Sequence, residues 1–338
     1  MHATSAAQFA SSTTRIAPDL EQVRDDVWAL GMPMPGGHIP YSLLYLLRDS
    51  ADGIHVIDPG WDSKSNLQRV LRALASLGAA ATDIRSITAT HLHPDHIGMG
   101  PRLKQASGAP LQVHATEKEA LYARGVGGWS PSVFSHVLDD WGVPANRRAE
   151  IEAILSATPP HPDVHVDRVL ANNERLDIPG FDLVAMLTPG HTPGHLSLRD
   201  DARSIMFTGD HLLPTMHAGL GLGGPTNTNA LTDYLDSLDT VSVYPDHEAL
   251  PGHGYRFSGL AKRAGKSARH HLKRSREVAE VVADSPDSTI WQIAERLTWT
   301  AGWNRLEGFF LFSALSQTAI HRDFVAADGL ARIAAHHR

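Results

Sequence analysis

His91-Leu92-His93-Pro94-Asp95-His96 sets four metal-binding side chains within six residues, between a strand-like run at 86–90 and the glycines of Ile97-Gly98-Met99-Gly100. In an extended segment residues two apart point the same way, so His91 and His93 can reach one ion together. Pro94 ends the strand, and the turn after it swings Asp95 and His96 towards a second position. A lone histidine is more often a core or surface residue, but four such groups at this spacing seldom arise by chance. Imidazole and carboxylate suit zinc at roughly 2.0–2.2 Å. Iron and manganese accept the same donors.

Composition narrows the chemistry further. The 338-residue chain has no cysteine, so disulfides and thiolate sites are excluded and a metal must use nitrogen and oxygen. It has 21 histidines, several times average usage. A hydrophobic fraction of 42% and a charged fraction of 20% are those of a globular protein. The formal charge of -7 gives no general attraction to nucleic acid or an anionic membrane. No apolar run approaches the roughly 18 residues of a membrane span. The start has no basic segment followed by an apolar one, which makes the cytoplasm the expected location. Residues 1–19, small and hydroxylated, are expected to be disordered.

Outward from 91–96, strands are expected at 27–30, 41–47, 54–58, 86–90, 111–114, 175–178, 183–187, 195–199 and 204–207, with a short one leading into Pro251-Gly252-His253-Gly254. Helical spacing appears at 66–77, 101–107, 115–124, 146–157 and 230–241, and an aromatic helix-like stretch contains Trp129, Phe134 and Trp141. Beyond 254 the strands largely stop, and helices follow at 262–283, 290–298 and 308–330. The pattern is mixed α/β with stacked sheets and a helical tail. Three strand-end loops carry further ligand types. Thr188-Pro189-Gly190-His191-Thr192-Pro193-Gly194-His195 offers histidine, Phe207-Thr208-Gly209-Asp210 a carboxylate, and His253 lies between two glycines.

These motifs, in this order from about Val27 to Gly254, resemble the HxHxDH hydrolases of the metallo-β-lactamase fold superfamily. The resemblance implies an αββα sandwich over 20–256, with a small helical, winged-helix-like domain over 257–338. Carried over by position, His91, His93 and His191 would hold one metal ion. Asp95, His96 and His253 would hold another, and Asp210 would bridge the two, which are expected to be zinc. Asp58 matches the family's early aspartate, which supports the ligand loop. The run Asp210-His211-Leu212-Leu213-Pro214, then Tyr234-Leu235-Asp236-Ser237-Leu238 and the helical tail, look like the beta-lactamase-like protein 2 group. His270, His271, Arg274 and His321 fit that group's pattern loosely.

Two divalent cations a few ångströms apart bring a shared water towards a pKa of about 7. The expected enzyme is therefore a hydrolase that uses a metal-bridging hydroxide. Asp210 would fix the metal separation, and Asp95 would accept the proton. The expected substrate is an ester, thioester or lactone of a small molecule. The aromatic 125–141 stretch and the glycine-rich 219–224 loop suggest a partly apolar pocket.

Two other functions compete with this one. A phosphodiesterase or endoribonuclease would use the basic run of Arg256, Lys262, Arg263, Lys266, Arg269, Lys273, Arg274 and Arg276 against RNA, although such a run is more often a solvated helix face. A non-catalytic metal-binding protein is opposed by the intact ligand set. The tail is also a candidate dimerisation surface, giving a homodimer.

Several residues near the motifs carry blander readings. His195 is expected to pack the loop rather than bind metal. His211 either lines the pocket or makes a structural hydrogen bond. His38, Tyr41 and His217 belong to loops that overhang the site. Trp129, Phe134 and Trp141 form a lid or, more often for such a face, simply core.

Overall fold

A computed structural model describes residues 1–36, 39–122, 131–157, 164–224 and 226–335. Thirteen strands run in chain order: β1 (His2–Ala3), β2 (Glu21–Arg24), β3 (Val27–Pro33), β4 (Tyr41–Arg48), β5 (Ile54–Ile57), β6 (Ile84–Thr88) and β7 (Leu111–His114) in the first half, then β8 (Arg168–Leu170), β9 (Leu183–Leu187), β10 (Leu196–Asp200), β11 (Ile205–Gly209), β12 (Glu248–Pro251) and β13 (Phe257–Ser258). They form a seven-stranded sheet, β2-β3-β4-β5-β6-β7-β8, and a six-stranded sheet, β1-β13-β12-β11-β10-β9.

Side-chain alternation along β4 explains why two sheets stack. Leu43, Tyr45 and Leu47 point inward and pack with Leu196, Leu198, Ile205 and Phe207 of the other sheet. Leu44 and Leu46 point outward and meet Val70 and Leu74 of the helix Lys64–Ser76. On the far side, Met206 and Ala249 lie under Leu231, Leu235 and Leu238 of the helix Ala230–Ser242 and Leu260 and Ala264 of the helix Leu260–Asp284. The result is the expected αββα layering with helices after it.

Three expectations change. Residues 1–19 are ordered: Ser5 caps a helix, Ala6–Thr14, whose buried Gln8 accepts a hydrogen bond from the Arg256 amide at 3.0 Å. Residues 175–178 supply a single bridge, Arg175 to Val184, because Leu176 and Ile178 turn back through a tight loop. The tail is helical, but no strand follows Ser258 among the described residues, so nothing there corresponds to a wing. The tail keeps a small cluster of its own, Val278, Val281, Ile293 and Leu297, and shares a larger one with the chain before it. Phe134, Leu138 and Ile151 of the middle helices share a cluster with Ile290, Leu311, Phe312 and Leu315. Among the described residues no helix is long and apolar enough to cross a membrane.

Candidate metal centre

Strands β9, β11 and β12 of one sheet run in one direction, and the loops that leave their carboxyl ends come together with the loop that leaves β6 of the other sheet. All seven side chains expected to bind metal come from these loops. Loops on a rigid scaffold are where functional groups concentrate. His91 Nε2 lies 3.0 Å from His93 Nδ1, which lies 3.1 Å from His191 Nε2. His96 Nε2 is 3.3 Å from His253 Nε2, and Asp95 Oδ2 is 3.1 Å from the latter. Asp210 sits between the two groups, with Oδ2 at 3.4 Å from His253 Nε2 and 3.7 Å from His191 Nε2.

What each ring does with its outer nitrogen fixes what its inner one offers. His93 Nε2 donates to the Leu222 carbonyl at 3.0 Å, His191 Nδ1 to Gly219 at 2.7 Å and His253 Nδ1 to Tyr41 at 2.8 Å. His96 Nδ1 donates to the Asp58 carboxylate at 2.9 Å. The Thr90 hydroxyl gives its hydrogen to Asp58, so it accepts from His91 Nδ1 at 3.0 Å. Carbonyls and carboxylates only accept, so every outer nitrogen carries a proton, and a ring in its neutral form turns a lone pair inward. In that form five lone pairs converge inward, beside two carboxylates. Asp210 Oδ1 is buried without any hydrogen bond. Such a gathering of acceptors is unfavourable unless positive charge sits among them, and nitrogen and oxygen donors of this kind fit divalent cations.

Electrostatics divide the two groups. Burial, then repulsion from the neighbouring imidazoles, holds His91 well below the ordinary histidine range. Burial and His93 bring His191 down to about 4. Burial opposes the charged form at His96 and His253 as well, but the carboxylates outweigh it. Asp210, Asp95 and Asp58 raise His96 well above its usual value, and Asp210 with Asp95 lifts His253 to about 10. The acidic side of the centre thus demands cationic charge, from protons or from metal.

Local backbone makes the convergence possible. Asp58 has φ 52, left-handed for a non-glycine residue, and besides His96 it receives the Thr90 amide at 2.7 Å. Strain of this kind concentrates at functional sites. At Gly252 a Cβ would come within 2.5 Å of both Asp210 Oδ1 and His96 Cε1, so only glycine lets the β12 loop approach.

The remaining candidates sort plainly. His195 accepts the Asp210 amide on Nε2 at 3.1 Å and meets Thr188 through Nδ1, so it positions Asp210 with no nitrogen left for metal. His211 is fully buried, packs against Tyr234 and is not among the residues that border the cleft beside His253. Tyr41 and His253 border a cleft of about 120 Å³. Phe134 is core, and Trp141 stacks on Phe312. His38 and Trp129 lie outside the described residues. The 219–224 loop braces two histidines through its carbonyls, and its Gly221 and Gly224 line, with Val137 and Trp141, a cavity of about 230 Å³.

Glu117 escaped the sequence reading. Fully buried, it accepts the Leu92 amide at 2.7 Å and the Gly194 amide at 2.6 Å, and so ties the 91–96 loop to the 188–195 loop. Burial pushes its carboxyl from 4.5 up to about 7. Between those values the native protein keeps a proton that the unfolded chain has released. Its contribution to stability therefore declines as pH rises through that window. Glu117→Gln turns an NH2 towards one of the two amides, and loss of such a supporting partner costs roughly 10–100-fold in metal affinity or activity. Urea denaturation at pH 5 and pH 8 is expected to show a smaller fall in stability for the variant than for the parent. An equal fall would remove Glu117 as its source.

Comparison with known proteins agrees with this geometry. The family model described as the metallo-beta-lactamase superfamily matches residues 40–253. "Probable metallo-hydrolase YqjP" of Bacillus subtilis is 24% identical, over 90% of this chain and 93% of its own length. The "Beta-lactamase-like protein 2 homolog" of Caenorhabditis elegans is 23% identical, over 86% and 82%. "Hydroxyacylglutathione hydrolase GloC" of Haemophilus influenzae is 26% identical, over 65% and 89%. The crystal structure of a metallo-beta-lactamase family protein from Thermus thermophilus superposes with a TM-score of 0.70 at 24% identity, covering 91% of this chain and 95% of that one.

Proposed function

This chain belongs to the metallo-beta-lactamase superfamily, and on that premise we propose that it is a dinuclear hydrolase of an ester, thioester or lactone in a small organic molecule. His91, His93 and His191 would hold one divalent cation and Asp95, His96 and His253 the other, zinc being the expected metal. When bound, such a pair acidifies water and polarises the substrate oxygen.

The chain's own residues do the rest. Asp210 reaches both groups and would keep the cations at a fixed separation. Asp95 belongs to one group only and turns Oδ2 towards His253, which leaves Oδ1 to take a proton from the attacking water. Glu117, Asp58 and His195 hold the loops so that these groups meet without rearrangement.

The observation that carries the substrate class is the cleft beside His253. It is about 120 Å³ in volume and bordered by Ser12, Arg15, Ile39, Pro40, Tyr41 and Met216. A compact, largely apolar wall with one cation suits an acyl group better than an extended polymer. The hydroxyacylglutathione hydrolase relative supports the thioester choice.

Phosphodiester cleavage is the competing reading, and the basic run gives it little help. Arg256 pairs with Glu21 and Glu248, while Arg263 donates to the Leu213 and Met216 carbonyls and Arg274 to Glu277 and Thr298. Three of the run's cations are thus occupied inside the protein. A screen of acyl thioesters, p-nitrophenyl esters, lactones and bis-p-nitrophenyl phosphate is expected to rank an acyl substrate at least about tenfold higher in kcat/KM, a difference of roughly 1.4 kcal/mol in the barrier. A phosphodiester at the top of that ranking would overturn the proposal.

A further inference from the structure

A second gathering of histidines lies away from the metal centre, where the C-terminal helices meet the loop at 215–219. His217 of that loop lies flat on His270, with ring centres 3.9 Å apart and planes within 5° of parallel. His271 stacks against His321 of the helix Gly308–Phe324 at 5.8 Å. These four rings, with Arg274 and Trp299, line a cavity of about 200 Å³. A single water needs only about 10–15 Å³, so there is room for a molecule.

The cavity is not a metal site. Among the described residues, the groups of histidine and carboxylate atoms close enough to hold one ion all lie at the centre already described. Its walls supply hydrogen-bond donors instead: burial holds His217, His270, His271 and His321 below the ordinary histidine range, so the rings are neutral, and Arg274 is the cation on the lining. Ser275 anchors His321 through Nδ1 at 2.8 Å, and Ser267 anchors His217 through Nδ1 at 3.2 Å, which leaves Nε2 on each. His271 is 4% exposed, and its Nε2 has no hydrogen-bond partner. A buried polar atom left unpaired is unfavourable, and a ligand that accepts from it would remove that cost. The Arg274 guanidinium lies 4.7 Å from the centre of the Trp299 ring. Arg263, Lys266 and Lys273 add to the field felt by His217 and His270. Among the described residues no carboxylate lines the cavity, although Glu277 pairs with Arg274 at 2.8 Å from outside it.

We propose that this cavity binds a small oxyanion, the phosphate or carboxylate group of a small molecule, through the imidazoles of His271, His321 and His217 beside Arg274. The site does not depend on the proposed hydrolysis, but it adjoins the metal centre. Gly219 forms part of its wall, and the same residue's carbonyl holds His191 Nδ1. An occupant would therefore press on the segment that aims one metal-binding histidine.

The test is calorimetric titration of the metal-loaded protein with inorganic phosphate and, separately, with acetate. The parent is expected to bind one more anion per chain than His271→Phe, and to bind it at least about tenfold more tightly than the milder His321→Gln, the loss of one hydrogen bond to a charged group being worth roughly 1.5–3 kcal/mol. A phosphate-dependent change in tryptophan fluorescence is expected in the parent and not in Trp299→Phe. The anion that binds more tightly says which group the site is built for. If the parent and both histidine variants, each folded by circular dichroism, take up equal numbers of both anions with equal affinity, the proposal fails.

Discussion

Asp210→Ala is expected to leave the fold intact and abolish the paired metal centre. Its carboxylate reaches His253 and His191 through Oδ2 and lies 3.5 Å from His96 Nε2 through Oδ1. Among the described residues it is the carboxylate that lies against both groups, beside His91. Without it one negative charge is lost and the two groups share no ligand. Metal content is expected to fall from two ions per chain to one or fewer, and kcat/KM by more than about a hundredfold, beyond what losing a supporting partner alone costs. Elemental analysis after gel filtration reads the first and steady-state rates the second. Two ions retained in the variant would take Asp210 out of the bridge. Acid is expected to act in the same direction. His96 and His253 are held above the ordinary histidine range, so protons compete for their nitrogens as pH falls and metal affinity drops with it.

Arg256→Met is expected to destabilise the protein by about 3 kcal/mol, the range seen when one partner of a buried ion pair is removed. Arg256 is 5% exposed, donates to Glu248 and lies 3.0 Å from Glu21. Its amide holds Gln8, and its carbonyl accepts the Thr4 amide at 3.0 Å. One residue thus joins β2 of one sheet to β12 of the other and docks the N-terminal helix on both. Glu248 keeps Arg24 at 2.8 Å, but Glu21 would lose its buried cation. Ser12 and Arg15 of that docked segment border the cleft, so KM is expected to rise along with the loss of stability. Denaturation by urea checks the first effect. A change within about 0.5 kcal/mol, ordinary for a surface substitution, would show that the pair is not holding the segment.

The seven side chains that the structure brings together were legible because each carries a local signature. Alternation points His91 and His93 together, Pro94 forces the turn, and small residues flank His191, Asp210 and His253. The layered sheets were legible too, since β4 and β5 are runs of β-branched, aromatic and aliphatic residues bounded by turns. Other features depend on partners distant in the chain. Glu117 sits in an ordinary-looking helix, Ala115–Tyr122, and gains its role from amides 25 and 77 positions away. The helix Ala6–Thr14 has weak amphipathicity and is fixed by a few polar contacts, such as Ser5 to Glu21 at 2.7 Å. No periodicity announces those. Phe134 and Phe312 pack 5.2 Å apart, a contact that joins the middle insertion to the tail and that neither segment's sequence reveals.

The short pairing of His2 with Ser258 and Ala3 with Phe257 bears on solubility. β13 would otherwise end the six-stranded sheet with its backbone donors and acceptors open, a surface on which a neighbouring molecule can add a strand. A chain trimmed of its first fifteen residues would uncover that rim together with one flank of the cleft, and is expected to self-associate more readily than the full chain.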